Sequence, residues 1–372
     1  MAEVLEQQFR RLKDRVDQVF TEWPISPESE REKRKMWTEL YLLNKKYLDS
    51  KNQLKQKLID EYEYAYPLMR QKLSLRPHVK RSSCIMGALR LLCLALETIL
   101  FFPIFAIFFP LRWTHPILRS LGFRNKQLPY DYIPKMWANC AMFILGIQCD
   151  IEGWENVKEI YDEDLSTIAL FEHSSFIDFI VVLARGGVPF KWIGKRGAFQ
   201  IPLMGQMAWF AGMISIDRSN LASAKKSLHQ AAHVIQHYKR SIAISPEGTR
   251  SKVGQLMEFK KGAFHLCLYC KLNPTPIIIF GAYHLWPSFH LFPSSGRVVL
   301  RFLKPVSLDK YLPNNYNDML NDIYLVMANA MEDVPNSIFL PPTKMCIFLS
   351  YVSMTLTLCI SGLIILSVVK LL

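Results

Sequence analysis

Leu165-Ser-Thr-Ile-Ala-Leu-Phe171 runs into Glu172-His173-Ser174-Ser175-Phe176-Ile177-Asp178, and the reading of this stretch decides the fold. Residues 165–171 are a short apolar run of the kind that makes a buried strand. From Phe176 onward the chain is apolar again, with Ser174 or Ser175 placed to cap a helix. The same alternation continues outward over residues 130–340. Ser241–Ser245, Ile277–Ala282 and Val298–Phe302 read as further strands. Leu221–Lys239 reads as a helix with Leu221, Ala224, Leu228, Ala231 and Ile235 on its buried face. The expected fold is α/β: a mixed, largely buried β-sheet flanked by helices, with an N-terminal helical region and a C-terminal transmembrane helix.

Chemistry enters with His173 and Asp178. Five residues along an ideal helix rotate by about 140°, so the two would not share a helical face. They meet if His173 lies in the loop leaving the strand and Asp178 in the first turn of the helix. A carboxylate on one ring nitrogen then fixes the tautomer and leaves the other nitrogen to take a proton. The bland alternative is a capping box over Ser175–Asp178, in which Asp178 serves only the helix terminus.

Cationic and turn-forming residues follow in order. Gly194-Lys195-Arg196 precedes Pro202 and Gly205, and Gly212 leads into Ile216-Asp217-Arg218. Lys195, Arg196 and Arg218 suit phosphate recognition, although for any single one ordinary solvated surface charge is the better reading. Ser245-Pro-Glu247-Gly248-Thr249-Arg250 comes directly after a predicted strand, with Glu247 74 positions beyond His173. Gly248 permits a tight turn, Arg250 reaches an anion, and Glu247 is expected to brace a neighbouring cation. Thr275-Pro276 opens the strand expected at 277–282.

This ordered set resembles the glycerolipid acyltransferase family typified by 1-acylglycerol-3-phosphate acyltransferases, over roughly residues 135–305. The family's first block matches His173–Asp178. Its second region matches Lys195, Pro202, Gly205, Gly212 and Ile216–Arg218. Its third matches Glu247–Arg250 and continues through Phe259–Ala263, and its fourth matches Pro276. The resemblance implies that His173 is a general base oriented by Asp178, and that the donor is an acyl-CoA thioester. It also implies that Lys195, Arg218, Glu247, Gly248, Thr249 and Arg250 form the substrate-binding set around an acceptor phosphate. No cofactor and no metal are implied, acyl-CoA being a co-substrate. The chain departs from the family pattern at Glu172, where Asn is usual, at Ser245, where Phe is common, and at Gly197-Ala198, where Glu-Leu is common.

The remainder frames this core. The 372 residues carry a formal charge of +13, and half of them are apolar, which favours anionic lipid over nucleic acid as the basic chain's partner. No Gly-aromatic RNA motif, zinc finger or basic zipper is present. Residues 1–76 are charged, with Leu5, Phe9, Leu12, Val16 and Val19 at helical spacing and Ser26-Pro27 as a helix start. They read as a helical hairpin whose second arm runs to about residue 60, docked on the rest or offered to a protein partner. Residues 84–126 hold a membrane segment and basic linker. Glu97 and Pro103 argue for a bent, re-entrant or interfacial helix there, with Phe101, Phe102, Phe105, Phe108 and Phe109 facing acyl chains. Residues 345–369 read as a C-terminal anchor. His229, His233 and His237 share a helical face but lack the glutamate of a zinc-protease motif, and Cys267-x-x-Cys270 has no second pair.

The eight cysteines fit reduced thiols, and the charged opening of the chain carries no signal peptide. The expected setting is an endoplasmic reticulum membrane with the catalytic domain facing the cytosol. Acylation of a lysophosphatidic acid-like acceptor leads. Another lysophospholipid, glycerol-3-phosphate or a neutral glyceride as acceptor, an inactive membrane-anchored scaffold and an anionic-lipid binding module stay open.

Overall fold

The computed structural model describes residues 2–18, 26–77, 84–123, 129–217, 221–311 and 315–371. Its centre is a seven-stranded sheet in the order β1-β7-β6-β2-β5-β3-β4. The strands are β1 (Ile147–Glu152), β2 (Ile168–Phe171), β3 (Lys191–Lys195), β4 (Ile214–Ile216), β5 (Ile242–Ile244), β6 (Pro274–Phe280) and β7 (Gly296–Phe302). All neighbours pair parallel except β6 and β7, so the sheet is mixed as the sequence predicts.

β2 shows why the central strands are apolar throughout. Side chains alternate across a strand, and both faces of this sheet are covered. Ala169 and Phe171 enter one core with Trp137, Met142, Val181 and Val298. Ile168 and Leu170 enter the other with Ile235, Phe264, Ile278 and Met327. Helices Pro129–Leu145 and Ile177–Arg185 cover the first face, and Leu221–Tyr238, Gly262–Cys270 and Tyr316–Glu332 the second.

Strand bounds differ from the expected ones where single residues intervene. β2 begins at Ile168, three residues late, after Asp164 at φ 56°. β6 begins at Pro274 and stops at Phe280, because Gly281 turns the chain at φ 87°. A Cβ at Gly281 would lie 2.4 Å from the Arg297 carbonyl oxygen. β1, β3 and β4 were not expected; β4 has three residues, too few to show a period, and β3 begins and ends on lysine.

The N-terminal region is three helices rather than a hairpin: Ala2–Gln18, Pro27–Ser50 and Gln56–Lys72. Ser26 caps the second in a reciprocal bond with Ser29, with Pro27 in the first turn as read. That helix ends at Ser50 and a turn at Lys51–Gln53 reverses the chain. The reversal lays Tyr62 on Tyr47 at 4.0 Å between ring centroids and brings it to 5.1 Å from Phe9. Leu5, Phe9, Leu12 and Val16 are buried as the stripe requires, whereas Val19 lies outside the described residues. The region docks on the sheet domain through Trp37, whose Nε1 donates to the Leu256 carbonyl at 2.8 Å, and through Tyr41 stacked on Tyr324 at 3.7 Å.

Helices Cys84–Phe108 and Lys344–Leu371 both pack on helix Pro129–Leu145, and both contain stretches long and apolar enough to cross a membrane. The first runs through Pro103 before a turn at Phe109–Thr114. Its aromatic residues form the acyl-facing side expected of them only in part: Phe108 is exposed and Phe101 half-buried. Phe105 is buried, Phe102 packs on Phe210, and Phe109 on Trp209 and Phe210. The helix lies along the sheet domain, and its exposed side carries Ile85, Leu92, Ile99, Ile104, Ile107 and Phe108.

Candidate active site

The chain leaves β2 at Phe171 and places His173 beyond the C-terminal edge of the sheet, where parallel strands commonly offer their ligand sites. Helix Ile177–Arg185 begins four residues later, and Asp178 sits in its first turn. His173 Nδ1 lies 2.8 Å from Asp178 Oδ2, and the Asp178 side chain is 1% exposed against 26% for His173. The same oxygen accepts the backbone N–H groups of Ser174 and Ser175, each at 2.8 Å. Asp178 therefore orders the loop and holds the imidazole at once, so the capping and base-orienting readings are not alternatives. The carboxylate fixes the proton on Nδ1, and Nε2 makes no hydrogen bond among the described residues. Ser175 does the capping-like work, accepting from Ile177 N–H at 3.1 Å and donating to the Trp286 carbonyl at 2.7 Å.

The segment after β5 clamps His173 from below. Glu247 Oε1 accepts the His173 N–H at 2.6 Å, and Ser251 N–H donates to the His173 carbonyl at 2.6 Å. The other Glu247 oxygen accepts Met257 N–H at 2.9 Å. Glu247 thus braces backbone rather than the neighbouring cation expected of it, because its side chain points into the core. Burial pushes its carboxyl up to about 8, against the pull of the two N–H donors and with a further push from Asp178. Glu172 is turned away from the imidazole and accepts Ile279 N–H at 2.7 Å. Burial, then the charge of Asp178, holds it well above the usual carboxylate range.

Arg250 returns over the top of the site. Its guanidinium carbon stands 3.7 Å from the centroid of Phe176, a cation–π contact, and its buried Nη1 has no hydrogen-bond partner among the described residues. Gly248 makes the turn at φ 70°, and Thr249 is exposed beside it. Lys195 is exposed at the end of β3, on the same edge of the sheet but without a hydrogen bond to His173, Asp178 or Arg250. Arg196 is occupied with Asp217 at 3.5 Å. Arg218 lies outside the described residues.

The profile of the family described as Acyltransferase matches residues 148–280, which contain His173, Asp178, Lys195, Glu247 and Arg250. A 1-acyl-sn-glycerol-3-phosphate acyltransferase of Salmonella typhimurium is 30% identical over 204 residues, covering 53% of this chain and 77% of that protein. The chain belongs to the glycerolipid acyltransferase family. A relative of the same name in Limnanthes douglasii is 32% identical over 188 residues, 50% of this chain. The match spans 65% of that plant protein's length, a little under two thirds. The crystal structure of the Thermotoga maritima 1-acyl-sn-glycerophosphate acyltransferase PlsC aligns with a TM-score of 0.47 at 20% identity, over 65% of this chain and 98% of that one.

Within this family member the structure brings His173, Asp178, Glu247, Gly248 and Arg250 together and leaves Lys195 at the rim. Sequence reasoning read Ser175 only as a helix cap, and missed Ser251 and Trp286, whose roles run through backbone atoms or across the fold. Glu172 was visible as a departure from the family pattern, but not that it ties the His173 loop to β6. The row His229, His233 and His237 is exposed, with His233 and His237 stacked at 5.1 Å and His229 edge-on to Tyr269. Cys267 and Cys270 lie on helix Gly262–Cys270, and burial raises both thiols.

Proposed function

We propose that the chain moves an acyl group from acyl-CoA to the free hydroxyl of a lysophosphatidic acid-like acceptor, giving phosphatidic acid. The observation that carries this reading is the buried Asp178 carboxylate holding a part-exposed His173 through Nδ1. His173 Nε2 takes the hydroxyl proton as the oxygen attacks the thioester carbonyl. The carbon–oxygen bond forms, the carbon–sulfur bond breaks, and the imidazolium returns its proton to the departing CoA thiolate. Asp178 stabilises the transient imidazolium.

Arg250 and Thr249, with Lys195 at the rim and Arg218, are placed in the sequence to receive the acceptor phosphate, and Arg250 has an open donor for it. Glu247 and Gly248 shape that pocket from the backbone side. The two apolar helices suit a membrane-held enzyme that takes its lipid acceptor laterally and acyl-CoA from the cytosol, with the endoplasmic reticulum as the setting.

CoA release by purified protein in detergent, with oleoyl-CoA and lysophosphatidic acid, tests the reading beside His173→Ala. Release abolished in a folded variant supports it. Release that survives the substitution removes His173 as the base. Product only with another lysophospholipid, glycerol-3-phosphate or a glyceride moves the acceptor, and product only from an acyl carrier protein thioester moves the donor. No product from any pair leaves a scaffold.

A further inference from the structure

Residues 251–257 follow Arg250 directly, and they are hydrogen-bonded to two different parts of the molecule. Toward the site, Ser251 N–H donates to the His173 carbonyl at 2.6 Å and Met257 N–H to Glu247 Oε2 at 2.9 Å. On the other side they meet the N-terminal helices and the chain that leaves them, all outside residues 148–280. Gln255 is 2% exposed, and its Nε2 donates at 2.8 Å to the carbonyl of Leu73, which caps helix Gln56–Lys72. Leu75 N–H donates to the Val253 carbonyl at 2.8 Å, and Trp37 Nε1 donates to the Leu256 carbonyl at 2.8 Å. The Tyr283 hydroxyl lies 3.2 Å from the carbonyls of both Leu75 and Lys252.

Between these two sets of bonds the segment has little room to adjust. Ser251 Oγ donates to the Gln255 carbonyl at 2.8 Å and closes a turn. Gly254 completes it at φ 72°, where a Cβ would lie 2.7 Å from the Tyr283 ring. An unbroken series of contacts therefore runs from Leu73 through Gln255 and Ser251 to His173, each link at 2.8 Å or less. Buried polar groups that lose a partner are costly, so a missing link moves the chain rather than leaving a gap. Arg250, next to Ser251, has its guanidinium over Phe176 and depends on the same segment for its place.

We infer that Gln255, with Trp37 as a second fastening, is a positioning residue: it ties residues 251–257 to the N-terminal helices, and that segment sets where His173 and Arg250 stand relative to each other. For its effect on turnover the inference rests on the acyl-transfer reading above; the coupling itself does not. A base and an acceptor-binding cation must be held in one geometry, and a misplacement of about 1 Å costs far more rate than binding. A purely structural anchor would behave differently. It would lower stability and leave the kinetic constants of the folded protein unchanged.

The test uses the full chain and Gln255→Met, which keeps the side chain's length and removes its donor. Amide hydrogen exchange, resolved by residue with fragmentation mass spectrometry, should speed about tenfold at Ser251 and Met257. Per folded molecule, kcat should fall about tenfold and acceptor KM rise about threefold, with donor KM unchanged. Trp37→Phe removes one donor near the other end of the segment and should give the same pattern at smaller size. Phe9→Leu is the control. Phe9 is buried among the N-terminal helices, so this change should lower the melting temperature and leave exchange at Ser251 and the kinetic constants alone. Equal losses of kcat in Phe9→Leu and Gln255→Met overturn the inference, because general destabilisation then explains both. A folded Gln255→Met with wild-type kinetic constants overturns it whether or not exchange has changed. Should Gln255→Met fail to fold, Trp37→Phe decides, and unmoved exchange or unmoved kcat there overturns the proposal. Exchange needs no turnover. Faster exchange at Ser251 and Met257 with no acyl transfer in any protein, wild type included, supports the coupling while removing the acyl-transfer reading.

Discussion

Two buried ionic clusters lie at opposite ends of the same sheet, and they are built on different rules. At the N-terminal edge, Asp131 receives Lys191 on one oxygen at 2.7 Å and Arg240 on the other at 2.6 Å, while Arg240 also donates to the Tyr130 hydroxyl. Lys191 completes itself on the Ala211 carbonyl at 2.7 Å. At the C-terminal edge, Asp178 Oδ1, Glu172 Oε2, Arg34 Nη1, Arg250 Nη1 and Ser245 Oγ are all buried without a hydrogen-bond partner among the described residues. Burial is similar at the two ends; satisfaction is not. A saturated cluster holds elements together, whereas unspent hydrogen-bonding capacity next to a histidine fits the proposed role of this edge in receiving a substrate or a proton.

The sharpest way to break this comparison is to cut each cluster once. His173→Ala should reduce acyl transfer by about 10³-fold with the melting temperature little changed. A variant that retains activity would reduce the C-terminal cluster to another structural one. Asp131→Asn strands Lys191 and Arg240 and is expected to cost about 3–5 kcal/mol of stability while leaving kcat per folded molecule unchanged. Denaturant titration beside kinetics decides it, and a kcat defect would show that the remote cluster is not merely structural.

Smaller effects sharpen the picture within the site. Arg250→Met should raise acceptor KM about 10- to 100-fold by removing a charge-assisted contact, with donor KM unchanged. Glu247 titrates near 8 in the folded protein, above its usual 4.5. The folded state therefore holds this proton more tightly than the unfolded chain between those values. Its contribution to stability is full below about 4.5 and is lost as pH rises through about 8. Glu247→Gln cannot lose a proton, so its melting temperature should fall less than that of wild type over the same pH range. Parallel curves would mean that the two N–H donors keep Glu247 ionised. Gly248→Ala is expected to cost least, about 1–2 kcal/mol, because a side chain is imposed at φ 70° while the Lys260 chain it meets at 3.0 Å can move aside.

What could be read early and what could not follows from where each interaction lives. β2 and helix Leu221–Tyr238 were legible because two-sided burial and helical period both leave a pattern within ten or twenty neighbouring residues. β3 and β4 were not, since short strands with polar ends show no period. The C-terminal helix was legible from length alone. The side of helix Cys84–Phe108 that faces outward was not, because Phe102 and Phe109 are claimed by Phe210, a partner a hundred residues away.

The sequence by itself determined the α/β alternation, the helix start at Ser26, the family and the chemical type of the site. Local periodicity, capping and ordered motif residues are all written in neighbouring or regularly spaced positions. Tertiary structure alone decided which charges share one low-dielectric space. It gave Glu247 to the His173 backbone, turned Glu172 toward β6, and brought Arg34 beneath both. Electrostatic energy depends on distance and burial, and separations of 74 or more residues along the chain say nothing of either.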